Sequence, residues 1–483
     1  MQSMILLPIQ EKETFAMEQE EFATYDAMGL ADLVRTRQVS PLELAETAIQ
    51  RIEAINPSIN AVVHKTYERA RERARQAPIT GAFAGVPWLL KDISSAPGIP
   101  ITMGSRALRG NVSQTSVPFV EAAEASGLNI LGVTNVPEFG LLESTENITD
   151  GPARNPWHLD YSTGGSSGGA AAAVAAGMVP MAHGNDGGGS LRIPASHCGL
   201  FALKPSRGRT LAAHPQELPL GIGYDGVISR SVRDTAMFLS VVEDPRTRLP
   251  KLGFVENATQ QRLRIGLLLA PGNGVAVDPQ VADAFQSTAK LCEELGHHVE
   301  PVRLPFDHKM LTDTFFDIWK SLATISVDMV TAATGLEADD AHFEAWTLKL
   351  REDALRSGGP AALVKAAEPM VRDFAERLDA FMQHWDVVLS PVVEGTVPSL
   401  GLREIDADRS YEQLLGDIRD FVSYTPMHNI CGTPAMSVPL HMDRQGLPIG
   451  SHFFSRAGRE DTLIRLAYEL EQARPWSARR PVL

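Results

Sequence analysis

The sequence predicts an α/β protein in which helices surround a central sheet, folded as one domain. Strand-like apolar segments alternate with helical segments along most of the chain, a pattern typical of a sheet covered by helices. No Ser/Gly-rich or Pro-rich linker divides the chain into two folding units, and no internal repeat is present. With 483 residues, 44% of them hydrophobic and 21% charged, the chain can bury a large core.

Helical sequence is expected first, over residues 27–76, after an N-terminal extension at 1–26. Within it, Ser40, Pro41 and Glu43 form a capping box with proline in the first helical turn. Apolar residues then recur at roughly helical spacing. The extension begins with a short apolar run that lacks a basic segment and a cleavage-type end, so it is a poor signal peptide.

Strands and helices then alternate along the domain, which is predicted to span 27–483. A buried strand is expected to end at Lys91 and Asp92. Further predictions are a helix at 117–127, a strand at 128–135, a small-residue helix and strand within 166–184, a strand–helix–strand pattern over 264–303, and strands at 385–393 and 435–442. Residues 305–383 are helix-rich and charged, and they are expected to cap one face as a variable, substrate-side region.

Charge and cysteine content exclude several classes of protein. The net charge of −15 disfavours a nucleic-acid binder, which must neutralise phosphates, and also an anionic membrane surface. No stretch of about 18 apolar residues is present, so no membrane span is expected. Cys198, Cys292 and Cys431 form no CxxC pair, which indicates neither a disulfide framework nor a zinc site. A cytoplasmic location is therefore expected.

Two glycine-rich stretches that contain serine lie close together, at 162–177 and 183–194. The first leads straight into an apolar helix, which is unlike a flexible linker. No G-x-x-x-x-G-K-[ST] or GxGxxG string is present in this region. The strings GGSSG and GSSGG fit the G-x-S-x-G nucleophile elbow, but a turn-rich segment, and no predicted strand, precedes them. The nucleophile elbow remains an alternative interpretation, because His428 and His452 follow in the chain and could supply the histidine that it needs.

The second stretch, GNDGGGS, ends at Ser190. Consecutive glycines before a serine can direct several backbone N–H groups at one point, which suits an oxyanion. The alternative is a tight turn capped by Asp186.

A nucleophilic serine needs a base. His183 and His197 flank the second stretch without a convincing context. Lys91 follows the apolar run GVPWLL, where desolvation would lower its pKa and leave a neutral amine. From the residues alone, a lysine at a strand end paired with Asp92 is equally consistent. The string STAK at 287–290 fits S-x-x-K, but it lies within a predicted helix and has no partner motif.

Several motifs in order resemble the amidase signature family over about residues 27 to 480. The spacings between Lys91, Ser166 and Ser190 also fit. The motifs are GVPWLLKD, TNVPEFG, ARNPWHLDYSTGGSSGG, GNDGGGSLRIPASHCGLFALKPSRGR, GVISRSVRD, and the closing NICGTPAMSVPL and GLPIGSHFF. The resemblance implies a single-domain α/β fold around a twisted mixed sheet. It also implies hydrolysis of amide C–N bonds without a metal or other cofactor.

The resemblance further implies a Ser–cisSer–Lys triad. Ser190 would be the nucleophile, Ser166 the bridging serine after a cis peptide bond, and Lys91 the neutral base. Supporting roles would fall to Ser167 as a hydrogen-bonding neighbour, to the N–H groups of Gly187, Gly188, Gly189 and Ser190 as the oxyanion hole, and to Asp186 and Arg192 as an ion pair.

Two departures from the family pattern refine the expected function. Many members have Thr or Ile where this chain has Gly187, which predicts a wider and looser oxyanion loop. The subunits that act on misacylated tRNA carry a YGRVSRYG-like stretch where this chain has SRGRTLAAHP. The chain looks closer to the branch of 6-aminohexanoate cyclic dimer hydrolases and urethanases.

We therefore expect a hydrolase of small, fairly apolar amides, with carbamates as a further class of substrate. The enzyme is expected to act as a monomer or homodimer. The alternative is an amidotransferase A-type subunit that acts on glutamine within a tRNA-dependent complex. Gly140 and Arg209 are the candidate substrate-binding residues. Arg207 and Arg209 follow a glycine-flanked turn and could reach the mouth of the site, although plain surface charge is the more usual interpretation of such a pair.

Overall fold

The computed structural model describes residues 17–76, 79–213, 218–270, 272, 274–403 and 409–483. Within these residues the helices are α1 (Gln19–Thr24), α2 (Ala27–Arg35), α3 (Pro41–Ile59), α4 (Tyr67–Arg75), α5 (Pro118–Ala125), α6 (Gly168–Ala175), α7 (Arg192–Cys198), α8 (Val232–Val242), α9 (Pro279–Glu294), α10 (His308–Thr334), α11 (Ala345–Arg356), α12 (Pro360–Phe381), α13 (Tyr411–Phe421), α14 (Pro426–Cys431) and α15 (Glu460–Ala473).

The strands of the same residues are β1 (Val62–Lys65), β2 (Pro87–Lys91), β3 (Asn129–Thr134), β4 (Glu146–Asn147), β5 (Gly151–Pro152), β6 (Arg154–Asn155), β7 (His158–Ser162), β8 (Met181–Asp186), β9 (Phe201–Lys204), β10 (Tyr224–Ser229), β11 (Arg264–Leu267), β12 (His298–Pro301), β13 (Val387–Pro391), β14 (Ala435–Met442) and β15 (Pro448–Phe454). Helices and strands alternate through most of the chain, so the predicted α/β class is confirmed.

Two sheets form the centre of the molecule. The larger has the order β12-β11-β13-β15-β14-β9-β10-β8, with parallel pairs at β12-β11-β13 and antiparallel pairs from β13 to β8. It is therefore the mixed sheet that the family resemblance implied. The smaller has the order β1-β3-β2, and the ends β2 and β8 lie beside each other. The backbone N–H of Lys91 joins them by donating to His183 Nδ1 at 3.3 Å.

The expectation of continuous helical structure over 27–76 is wrong in one place, because β1 lies between α3 and α4. Asn60 adopts a left-handed conformation and ends α3. The Asn56 side chain then accepts hydrogen bonds from the N–H groups of Ala61 and Val62, both at 2.8 Å. The segment that follows is β1, which pairs antiparallel with β3. The β-branched Val62 and Val63 favour a strand, but four residues give little periodicity to detect.

The amino-terminal capping box is present as predicted. Ser40 Oγ accepts from the N–H of Glu43 at 3.1 Å, and the Glu43 carboxylate accepts from the N–H of Ser40 at 2.7 Å. In the described part of the extension, α1 packs on α3 and buries Phe22 completely. Residues 1–16, on which the signal-peptide prediction falls, lie outside the described residues.

The helix-rich region 305–383 consists of α10, α11 and α12, which pack on one another. They share an apolar cluster with residues of the active-site side, including Leu141, Ile193 and Met427. Side chains of α10 lie beside Gly187 and Gly188 in the segment that follows β8. No helix among the described residues is long and apolar enough to cross a bilayer.

Candidate active site

Lys91 is the last residue of β2 and is completely buried. Its Nζ donates to Ser166 Oγ at 2.7 Å and makes a very short hydrogen bond to Asn185 Oδ1. Burial lowers the pKa of Lys91 to about 7, although the nearby carboxylates of Asp225 and Asp186 favour the charged form. The geometry therefore brings an amine that loses its proton near neutral pH within reach of a serine hydroxyl.

Asp92 does not pair with Lys91, which decides between the two interpretations of this lysine. The Asp92 carboxylate accepts hydrogen bonds from Thr102 N at 2.7 Å, Thr102 Oγ1 at 2.5 Å and Gly104 N at 3.2 Å. Burial raises the pKa of Asp92 to about 6 despite these hydrogen bonds. Asp92 thus anchors the following loop.

The first glycine-rich stretch forms a loop and then continues into α6. The peptide bond between Gly165 and Ser166 is cis, as the family resemblance implied. Ser167 Oγ donates to the carbonyl of Asn185 at 3.2 Å, and the N–H of Ser167 donates to the carbonyl of Ser190 at 3.3 Å. These hydrogen bonds tie the two glycine-rich stretches to each other.

Gly140 lies directly against Ser166. A Cβ at position 140 would stand 3.1 Å from Ser166 Oγ and 3.0 Å from Ile93 Cδ1. Its φ of 71° also lies in the left-handed region that favours glycine. Gly140 lines the same cavity as Ser166.

The second glycine-rich stretch connects β8 to α7 and is held by a buried ion pair. Arg192 donates to both carboxylate oxygens of Asp186, each at 2.9 Å, and both side chains are fully buried. Asn429 Nδ2 donates to the same carboxylate at 2.9 Å and to the Asp186 carbonyl at 2.8 Å. Burial alone would raise the pKa of Asp186, but the Arg192 guanidinium holds it well below its usual range.

One predicted oxyanion donor is already occupied. The N–H of Gly189 donates to Asp186 Oδ1 at 2.8 Å, so Gly189 supports the loop and does not face the cavity as a free donor. The Asp186 carbonyl points at Asn429, and in a planar trans peptide the N–H of Gly187 then points the opposite way. Gly187, Gly188 and Ser190 line the cavities at this point and remain the candidate donors.

The glycine at position 187 does not leave the loop open, contrary to the sequence prediction. The Trp319 ring from α10 fills the space beside Gly187, and the Phe315 ring lies beside Gly188. On the opposite side, Thr425 Oγ1 donates to the Gly188 carbonyl at 2.6 Å. The segment is therefore enclosed between α10 and the start of α14.

Ser190 and Ser166 share one large cavity of about 1140 Å³. Ser190 is 6% exposed and Ser166 is 2% exposed, so both hydroxyls are largely shielded from solvent. Most of the cavity wall is apolar, including Ile93, Ile101, Met103, Phe139, Leu218, Trp319, Leu322, Ile325 and Val364. Polar side chains such as Asn111, Gln114, Lys365 and Glu368 also line it.

The histidines of the nucleophile-elbow interpretation have other partners. His428 Nδ1 pairs with Thr433 Oγ1 at 2.9 Å, while His452 contacts Ser390 Oγ at 2.8 Å and Arg192 at 3.2 Å. Burial lowers the pKa of both rings well below the usual value. The titratable side chain that contacts Ser166 is Lys91.

The two histidines near the second glycine-rich stretch contact residues other than the serines. His183 Nε2 lies 3.1 Å from Asp225 Oδ1 in the core between the sheets. His197 lies in α7, and burial lowers its pKa to about 3. Its ring meets the edge of Phe421.

Arg209 does not take the position predicted for a substrate-binding residue. It is completely buried and forms ion pairs with Glu243 at 2.8 Å and Glu460 at 2.9 Å. Neither partner lines the cavity of Ser190, and the arginine joins the end of α8 to the start of α15. Arg207 donates to the carbonyls of Asn429 and Ile430, at 3.0 and 2.8 Å, and holds the end of α14.

Sequence reasoning missed several residues of the site. Asn185 contacts Lys91, and Asn429 and Thr425 hold the glycine-rich segment from a distant part of the chain. Asn185 lies within the quoted GNDGGGS motif, so its neighbourhood was a usable signal. Trp319 is an aromatic residue in a long helix and carried no local signal.

A family model and individual relatives agree on the family to which this chain is similar. The Amidase family model matches residues 43–464. AmiC of Mycobacterium leprae, an amidase by name, is 38% identical over 94% of this chain and 96% of its own length. The 6-aminohexanoate-cyclic-dimer hydrolase of Paenarthrobacter ureafaciens is 34% identical over 95% and 96% of the two chains.

The fold agrees with these sequence matches. A solved structure of 6-aminohexanoate cyclic dimer hydrolase has a TM-score of 0.88 to this chain at 33% identity, covering 95% of this chain and 99% of that one. Since both the sequence and the fold match over nearly the whole length, the chain belongs to the amidase family.

Proposed function

We propose that this amide C–N hydrolase works through an acyl-enzyme on Ser190, with Ser166 as proton bridge and Lys91 as base. The observation that carries the proposal is the 2.7 Å contact between Lys91 Nζ and Ser166 Oγ inside a cavity that Ser190 also lines. A positioned base next to a hydroxyl is the arrangement that activates a serine nucleophile.

The protonation state of Lys91 supports its role as a base. With a pKa of about 7, roughly half of the lysine is neutral at neutral pH, and a neutral amine can accept a proton. Asn185 Oδ1 can accept only from an N–H of the amine. That hydrogen bond turns the nitrogen lone pair toward the remaining directions, one of which leads to Ser166.

In the proposed first step, Ser190 Oγ forms a bond to the amide carbonyl carbon. Its proton moves to Ser166, and the Ser166 proton moves to Lys91 Nζ. The N–H groups of Gly187, Gly188 and Ser190 would stabilise the oxyanion, which forms only as the carbonyl becomes tetrahedral.

The intermediate then collapses with cleavage of the C–N bond. The proton returns from Lys91 through Ser166 to the leaving nitrogen, because an amine leaves poorly unless it is protonated. Water next attacks the ester on Ser190 and gives its proton along the same route. The product carboxylic acid departs as the proton returns from Lys91 through Ser166 to Ser190 Oγ, which restores the free hydroxyl.

The cavity supports small, fairly apolar amides as substrates, and carbamates as a further class. Its walls are mostly aliphatic and aromatic, so burial of apolar substrate surface contributes about 25 cal/mol per Å² to binding. A carbamate carbonyl offers the same oxygen to the loop donors and the same carbon to Ser190.

The proposed partner of the chain is a small molecule bound by a monomer or homodimer. The net charge of −15 argues against a nucleic-acid partner. The three cysteines are free and buried, which supports a location in the reducing cytoplasm.

A substrate panel tests this function. Purified enzyme and the Ser190→Ala variant would be assayed on p-nitroanilides, aliphatic amides, carbamates and glutamine. We expect turnover of apolar amides that disappears in Ser190→Ala, with an acyl adduct on Ser190 detected by mass spectrometry after rapid acid quench. Wild-type activity in a folded Ser190→Ala variant would exclude the assignment. Preference for glutamine would favour the amidotransferase alternative.

A further inference from the structure

Gly187 and Trp319 occupy one space that a side chain at position 187 would otherwise fill. A Cβ built on Gly187 would stand 3.1 Å from Cζ3 and 3.3 Å from Cη2 of the Trp319 ring. Those distances are shorter than ordinary van der Waals contact. The backbone at Gly187 is not in the left-handed region, unlike that of Gly189 with φ of 139°. A Cβ here would therefore require the indole to shift by a few tenths of an ångström, whereas the backbone conformation alone would accept it.

The Trp319 ring is held from two sides. Its Nε1 donates to the Leu141 carbonyl at 3.1 Å, and Trp346 Nε1 donates to the same oxygen at 3.1 Å. The ring also stacks on Phe315, with centroids 5.3 Å apart and an interplanar angle of 27°. Only 8% of Trp319 is exposed. A ring fixed in this way can transmit its position to the neighbouring loop.

Trp319 also separates two spaces that meet at Ser190. The large cavity reaches Ser190 on the side of Ser166 and Gly187. A small pocket of about 30 Å³ reaches it on the side of Gly165 and Gly188, and Trp319 lines both. Loss of the indole would join the two spaces beside the nucleophile.

We propose that Trp319 is a positioning residue that braces the oxyanion loop, supplying through α10 the volume that a side chain at position 187 would provide. The indole and the glycine are a matched pair. A side chain at 187 then requires a smaller residue at 319, and a smaller residue at 319 leaves the loop unsupported. The inference rests on the proposed function, since the loop donors are those of Gly187, Gly188 and Ser190.

A double-mutant cycle tests the pair, using Gly187→Val, Trp319→Ala and the double variant. The readout is the rate at which a fluorophosphonate probe labels Ser190. In that reaction Oγ bonds to phosphorus, fluoride leaves, and the serine proton passes to the base. Displacement of loop donors can cost about 100-fold, so we expect each single variant to label Ser190 that much more slowly. The double variant should recover to within about tenfold of wild type, because the valine fills the space left by the indole.

Two controls separate bracing from general destabilisation. In the double variant Gly189→Ala/Trp319→Ala the rate of Ser190 labelling should not recover, because the strain at position 189 comes from its backbone and from Thr425. Trp346→Leu removes the other indole bound to Leu141, and among the described residues Trp346 lines neither cavity. It should lower the melting temperature while the labelling rate stays near that of wild type.

Additive labelling losses in the double variant, or wild-type labelling in Trp319→Ala, would overturn the proposal. The same four proteins of the cycle would be unfolded in urea, where the matched pair predicts that the double variant is more stable than the sum of the single effects allows. Additive unfolding energies would overturn the pair even if the probe failed to label wild-type Ser190. That failure by itself would count against the proposed nucleophile.

Discussion

Lys91 Nζ contacts Ser166 Oγ at 2.7 Å, although the two residues are 75 positions apart in the chain. Lys91 ends a strand of the small sheet, whereas Ser166 lies in a loop bound to the end of β8 in the large sheet. The contact therefore exists only where the two sheets meet. Burial at this junction lowers the pKa of Lys91 to about 7.

Replacing the lysine tests whether it is the base. Lys91→Met keeps an apolar chain of similar length in a buried site, so the fold should persist. Loss of a general base typically costs about 10²–10⁴-fold, and we expect kcat/KM to fall within that range. The measurement is steady-state hydrolysis of a p-nitroanilide, with circular dichroism as the check on folding.

Lys204→Met is the matched control for this substitution. Lys204 is also fully buried, but its Nζ donates to the Pro205 carbonyl at 2.6 Å and lies over the Tyr224 ring. Its removal should change stability much more than kcat/KM. Equal losses of activity in both variants would mean that any buried lysine matters, and Lys91 would lose its special role.

The rate should rise with pH as Lys91 loses its proton. Because burial lowers the pKa of Lys91 to about 7, kcat/KM should increase through pH 7 and level off above it. The contribution of Lys91 to stability also increases with pH. The unfolded lysine binds more protons between pH 7 and about 10.4, so this residue's contribution to the free energy of unfolding increases across that window. A pH–rate profile without an inflection near 7 would contradict the assignment.

Asn185→Asp should move that inflection to higher pH. A carboxylate next to Lys91 Nζ would favour the charged amine and raise the pKa of the lysine, so the neutral base would form only in more alkaline solution. Asn185→Ala introduces no charge and serves as control. A pH–rate profile recorded for all three proteins measures the effect. An acidic limb that stays fixed in Asn185→Asp would disprove the coupling.

Breaking the buried ion pair should destabilise the protein strongly. Asp186→Ala leaves the Arg192 guanidinium without its carboxylate in a site with no exposed surface, and such a loss typically costs about 3–5 kcal/mol. Urea unfolding followed by tryptophan fluorescence measures it. The exposed pair of Asp373 and Arg377 on α12 is the comparison, and Asp373→Ala should cost about 0–1 kcal/mol. Similar costs for the two variants would remove the structural role proposed for Asp186.

Much of the fold was predictable because its elements are long or bounded by clear signals. The box at Ser40 and Glu43 fixes the start of α3, and the apolar run before Lys91 forms β2. The strand β1 was missed because its four residues lie between two helical patterns. Periodicity needs more residues than that to distinguish a strand from a helix.

The candidate site was predictable where motifs are contiguous, and less so where distant segments meet. GNDGGGS contains Asp186 and Ser190, and the family resemblance implied the ion pair of Asp186 with Arg192, which is present. The commitment of the Gly189 N–H to Asp186, by contrast, depends on how the loop turns. The placement of Trp319 beside Gly187 depends on how α10 crosses the sheet, and no local pattern encodes that. For the same reason, the buried ion pairs of Arg209 could not be foreseen.

The contact between β2 and β8 has a consequence for how the enzyme folds into its active form. The proposed base belongs to the small amino-terminal sheet, and the proposed nucleophile follows the outermost strand of the large one. A chain in which each sheet had formed but the two had not docked would hold both groups and still hydrolyse nothing. Enzymatic activity should therefore return only in the final phase of refolding, later than the recovery of secondary structure.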